Sequence, residues 1–153
     1  MPGGCNTPGF NIKISTMPIL KRYEAVEVPI PTGSTNTRFY FPDLPNLRNA
    51  MIQAVQLYTP GTLSATPNTG STMVPIADLQ KSFLTLYSGD LQLIYNAPLL
   101  AFSNIINSAT NPYSNDLPTI DDMVISWTKS YVSLSTSPGT TGTAYAFGVY
   151  YKL

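Results

Sequence analysis

Only a few side chains in this sequence could do chemistry. The acids are Glu24, Glu27, Asp43, Asp78, Asp90, Asp116, Asp121 and Asp122, and only Glu24/Glu27 and Asp121/Asp122 lie close together in sequence. A pair of carboxylates can share a proton as acid and base, or hold a divalent cation through oxygen ligands. Asp121 and Asp122 are adjacent, so in a strand they would point to opposite faces, and we read them as a turn or cap. Histidine, the side chain best suited to proton transfer near neutrality and the commonest metal ligand, is absent. Cys5, the one cysteine, lies in a Gly/Pro-rich leader, so it has neither an intrachain disulfide partner nor a histidine to activate it as a nucleophile. No phosphate loop, nucleophile elbow or zinc-ligand spacing occurs. The expectation is a protein that is not an enzyme and carries no cofactor and no metal.

What remains is side chains that make contacts. The ten tyrosines combine a large apolar ring with a polar tip, which suits both a half-buried strand and a subunit interface. Tyr145, Tyr150 and Tyr151 cannot all bury on one face, because Tyr150 and Tyr151 must point opposite ways in a strand, and one of them is expected to meet a neighbouring subunit. Tyr40 and Tyr113 join them as candidate interface residues. So do Arg22, Arg38 and Arg48, the only arginines, each able to make a two-pronged pair with an acid on another copy. Trp127 is expected in the core.

These side chains need elements to position them, and the pattern is all-β. Short runs of β-branched and aromatic residues alternate with clusters of Pro, Gly, Asn, Ser and Thr. Strands are expected at 10–14, 22–28 and 37–41, the second an edge strand or extended arm closed by Pro29 and Pro31. The run 49–58 reads as a central strand rather than a helix, with Met51, Gln53, Val55 and Leu57 on one side. Residues 59–75 form a polar loop with one short strand near Met73 and Val74. Residues 82–87 and 91–95 flank Ser88-Gly89-Asp90 as a β-hairpin. The run 98–106 is the best helix candidate. Residues 123–134 read as strand with a bend at Lys129, and 143–152 as a closing strand with Tyr145, Phe147, Val149 and Tyr151 on one side.

Together these predict one domain: a β-sandwich of about eight strands at 21–153, a jelly roll in preference to an Ig-like fold, with at most a short helix, preceded by an extended arm at 1–20. Charge bounds its partners. Eight bases balance eight acids, which gives no electrostatic footprint for nucleic acid. Charged residues make up 10% of the chain, far below the roughly 25% usual for soluble domains. A surface so sparsely charged resists association poorly, so much of it is expected to be covered by copies of the chain or by other proteins. The first residues lack the pattern of a signal peptide, and no apolar stretch reaches the length of a membrane span.

The stretch Thr37-Arg38-Phe39-Tyr40-Phe41-Pro42-Asp43-Leu44-Pro45-Asn46-Leu47-Arg48 is followed by Ile52-Gln53-Ala54-Val55-Gln56-Leu57. Further on, the run Phe83-Leu84-Thr85-Leu86-Tyr87 continues to Asn96-Ala97-Pro98-Leu99. In the style and order of these segments, about residues 37–102, the chain resembles the small structural proteins of icosahedral bacteriophages. The resemblance implies a shell, vertex or decoration protein of the virion, assembled in the host cytoplasm with copies of itself and a major capsid protein. It offers no catalytic residues. The neutral balance departs from shell proteins whose basic arms grip the genome, and so implies a vertex or outer position, or genome contact left to another chain. The other expectation from the residues is a carbohydrate- or receptor-binding β-sandwich, with an exposed aromatic platform around Trp127 or Tyr113.

Overall fold

A computed structural model describes residues 3–4, 22–59, 72–103, 119–136 and 143–153. Its strands are β1 (Arg22–Pro29), β2 (Arg38–Tyr40), β3 (Met51–Tyr58), β4 (Thr72–Met73), β5 (Ser82–Tyr87), β6 (Leu93–Pro98), β7 (Thr119–Met123), β8 (Tyr131–Leu134) and β9 (Thr143–Lys152). One sheet, A, runs β1-β9-β3-β7, with the two-residue β4 also pairing with β9; the other, B, runs β2-β8-β5-β6.

Apart from β4, the antiparallel partners are nested. β1 pairs with β9, β2 with β8, β3 with β7, and β5 with β6. The chain is therefore one long antiparallel ribbon, closed by the β5–β6 hairpin and wrapped so that its successive pairs alternate between the sheets throughout. That wrapping is a jelly roll, with two Greek keys in one sandwich.

Between the sheets the alternation does what period-2 patterning predicts. Tyr145, Phe147, Val149 and Tyr151 of β9 point inward with Val26 and Val28 of β1, and meet Phe39, Leu84, Leu86 and Val132 from sheet B. Phe41 is wedged between Trp127 and Phe147, with both ring centroids 5.2 Å away. Trp127 is thus core, as expected, although its indole N–H is buried without a hydrogen-bond partner among the described residues. Tyr145, fully buried, keeps its hydroxyl satisfied: Ser82 Oγ donates to the Asp78 carbonyl at 2.7 Å and so accepts from Tyr145 at 3.1 Å.

Several local expectations shift. In β3, Ile52 faces Tyr151 and Ala54 faces Tyr150, so Gln53 is an extra residue, a β-bulge. The bulge reverses the faces below it: Ile52 joins Val55 and Leu57 in the core, whereas Met51, read as sharing their side, is exposed. Asp121 and Asp122 belong to β7 rather than to a turn or cap, and Asp122 takes a positive φ of 49°. The helix candidate becomes a 3-10 turn at Leu99–Phe102, because Leu99 and Phe102 are drawn into the core and Ser103 leaves the turn in extended conformation. Among the described residues the one α-helix, α1 (Ile76–Leu79), lies between the loop expected at 59–75 and the strand expected at 82–87, where no element was expected. The bend at Lys129 is a second 3-10 turn, Trp127–Lys129, separating β7 from β8. The expected strand at 10–14, most of the arm at 1–20 and Cys5 lie outside the described residues.

Candidate functional site

A sandwich has two outer faces, and this one treats them differently. On sheet A the outward residues of β1, β3 and β9 are Tyr23, Tyr58 and Tyr150 around Gly148. A Cβ built on Gly148 would lie 2.6 Å from Tyr23 Cε2 and 2.9 Å from Tyr58 Oη, so the rings lie directly on the glycine backbone. Tyr23 and Tyr58 share a hydrogen bond at 2.5 Å, Tyr150 Oη donates to Gln56 Oε1 at 3.0 Å, and the Tyr23 and Tyr150 rings stand 5.3 Å apart. Tyr58 is 7% exposed. Burial pushes its hydroxyl well above the usual phenol range, with the bond to Tyr23 acting in the same direction. Tyr58 is covered on this face and Tyr150 half-covered, while Tyr23 stays 45% exposed.

Sheet B leaves its outer face open. Tyr40 is 52% exposed, Phe83 42%, Leu91 58% and Leu93 56%. The cross-strand register explains the clustering: Arg38 lies opposite Ser133 and Ser133 opposite Phe83, while Tyr40 lies opposite Tyr131 and Tyr131 opposite Thr85. At one end of this face a shallow groove of about 520 Å³ is lined by Arg38, Tyr40, Tyr87, Leu91, Thr128, Lys129 and Tyr131. The Arg38 guanidinium sits 5.0 Å from the centroid of the Tyr131 ring, and the Tyr40 ring meets the Tyr131 ring edge-on at 5.4 Å. Cation–π contact holds the arginine against the aromatic wall while leaving its N–H donors open. Among the described residues the lining holds two cations and no acid; Asp90 is the sequence neighbour of Leu91.

A smaller cavity of about 320 Å³ lies between the 43–48 segment, Gly89 and residues 124–128. Its charged groups neutralise each other: Arg48 makes a two-pronged pair with Asp43 on its own chain. The hydrogen bond from Arg48 holds the Asp43 carboxyl below its ordinary range.

The structure brings together two of the eight sequence candidates, Arg38 and Tyr40. Arg22 is exposed at the start of edge strand β1, away from the groove. Arg48, expected to reach an acid of another copy, is held by Asp43 instead, five residues away. Tyr145 and Tyr151 fill the core rather than an interface, because β9 is central in its sheet and its odd-numbered positions face sheet B. Tyr150 points outward into the tyrosine cluster. Tyr113 lies outside the described residues. A platform around Trp127 is excluded by its burial at 3% exposure.

Sequence reasoning missed Phe83, Tyr87, Leu91, Leu93, Lys129 and Tyr131. The signal was present in β5, where Phe83, Leu84, Leu86 and Tyr87 are apolar on both faces. That is the pattern of a strand covered on both sides, in a sheet whose outer side lies open among the described residues. Among the described residues no three of His, Cys, Asp and Glu come together as a metal site, and no helix is long and apolar enough to cross a membrane. Compared with known proteins, the chain matches no family model, and neither a curated protein nor a solved structure matches it.

Proposed function

We propose that this chain is a non-enzymatic structural protein of an icosahedral bacteriophage virion, assembling with itself and with a major capsid protein in the shell, at a vertex or as a decoration. The observation that carries this reading is the open aromatic face of sheet B on a jelly-roll sandwich. Contiguous exposed apolar surface of this kind marks a protein–protein contact, and the jelly roll is a fold from which viral shells are built. Fold alone does not assign function, so the weight rests on the face. The sparse charge supports the reading, because a surface destined for burial has little use for ions. With bases and acids in balance, genome contact falls to another chain, and the protein resides in the virion after assembly in the host cytoplasm.

The test is to purify the protein and image it while the concentration is raised, alone and with a major capsid protein. The reading expects rings or closed particles of uniform size. A stable monomer with no affinity for either partner contradicts it.

The tyrosine-lined groove favours a second reading, a carbohydrate- or receptor-binding module, since Tyr40, Tyr87 and Tyr131 offer ring faces beside Arg38 and Lys129. Saturable binding to a glycan array, abolished by Tyr40→Ala, would move the assignment to it.

A further inference from the structure

Resting on the assembly reading, we propose that the groove on sheet B of one copy receives the β7 edge of sheet A of a second copy, with the Asp121 carboxylate entering between Arg38 and Lys129.

Charge sets the symmetry. Two copies joined groove to groove would bring Arg38 and Lys129 of both subunits together, and like charges held face to face disfavour that pairing. The contact is therefore heterologous, one surface against a different one, and such contacts close into rings or grow into lattices. The second surface must offer an unneutralised acid. Asp43 is tied to Arg48 and Asp122 to Lys152. Glu24 lies two residues from Arg22 on one strand, so both share a face. Asp78 and Glu27 are half-buried, Glu27 with a partner in its own chain; Asp90 adjoins the groove-lining Leu91, and Asp116 lies outside the described residues. Asp121 is exposed on β7, the outermost strand of sheet A, and makes no ion pair among the described residues.

Its surroundings fit the groove as well. Met123, two residues beyond Asp121 on the same strand, is exposed. Flexible thioether side chains pack well on aromatic walls, and Tyr40 and Tyr131 supply such walls. An edge strand is also a site that proteins protect or use in association, and covering it here removes an open edge.

The test is charge exchange. Sedimentation equilibrium gives the dissociation midpoint of the wild type, Arg38→Glu/Lys129→Glu, Asp121→Arg and the triple variant, with thermal melting of each as a folding control. All three residues are exposed, so melting is expected to hold. Each reversal should raise the midpoint about tenfold or more, and the triple variant should return it to within about threefold of wild type. A midpoint unchanged by either reversal, or a triple variant as weak as the sum of its parts, overturns the proposal while leaving assembly standing. A wild type that never associates, alone or with its shell partner, overturns the assembly reading itself.

Discussion

The outer faces of the two sheets carry the same residue type to opposite ends. On sheet A, Tyr23 and Tyr58 lie on the Gly148 backbone and share a hydrogen bond, Tyr150 bonds to Gln56, and of the three only Tyr23 stays exposed. On sheet B, Tyr40 stands exposed with Phe83, Leu91 and Leu93 around a cationic groove. The difference lies in what stands opposite. Gly148 lets Tyr23 and Tyr58 reach the β9 backbone, whereas in sheet B Tyr40 stands opposite Tyr131, whose ring it meets edge-on. A tyrosine count therefore says little about interfaces until the cross-strand partners are known.

That contrast can be broken at graded depth. The deepest intervention lies beneath both faces: Phe147→Ala removes a fully buried ring that packs on Phe41, and should cost about 3–5 kcal/mol. The melting temperature should fall by about 10 °C, with assembly lost only because folding is. Gly148→Val attacks sheet A's cover directly. Its Cβ would meet Tyr23 and Tyr58, and swinging Tyr23 outward should cost about 1–3 kcal/mol, read by thermal melting. A tolerated valine would show that the cover is not tightly packed.

Tyr58→Phe should cost about 0.5–1.5 kcal/mol, since it deletes a hydrogen bond whose partner Tyr23 is half open to water. It also tests the ionisation argument. The folded state raises the Tyr58 value above its ordinary 10.0, so the stabilisation is complete below about pH 10 and is lost as pH rises above it. Tyr145 and Tyr150 shift the same way through burial. Alkaline unfolding should therefore coincide with a step in phenolate absorbance, and the fall in stability should be shallower in Tyr58→Phe. On sheet B, by contrast, Tyr40→Ser/Leu93→Ser should leave stability within about 0.5 kcal/mol of wild type by denaturant titration. Smallest of all, Asp43→Asn opens a fully exposed ion pair and should leave the melting temperature unmoved.

The ribbon was legible in the sequence because alternation and punctuation agreed. The first strand of the hairpin around Ser88-Gly89-Asp90 and the inward set of β9 sit where pattern places them, the hairpin's second strand falls at Leu93–Pro98 rather than 91–95, and the eight strands other than β4 make the expected jelly roll. What pattern could not carry was register. The Gln53 bulge inverts two residues of β3, and nothing in Met51-Ile52-Gln53-Ala54 announces it. The groove was half legible. Arg38 and Tyr40 stood out as isolated residues, but their partners come from β5, the hairpin turn and the 3-10 turn before β8, which are distant in sequence. Tyr145 and Tyr151 misled because residue type was weighed before strand position, and a central strand claims its inward tyrosines for the core.

The central claim is that sheet B's outer face is buried by assembly while the tyrosines of sheet A pack within the subunit. Light scattering behind a sizing column, over a concentration series of wild type and Tyr40→Ser/Leu93→Ser, tests it most directly. The account predicts a wild type that climbs to a ring or larger particle and a double variant that stays monomeric with unchanged melting. A wild type that remains monomeric throughout, or a double variant that assembles as wild type does, would contradict it.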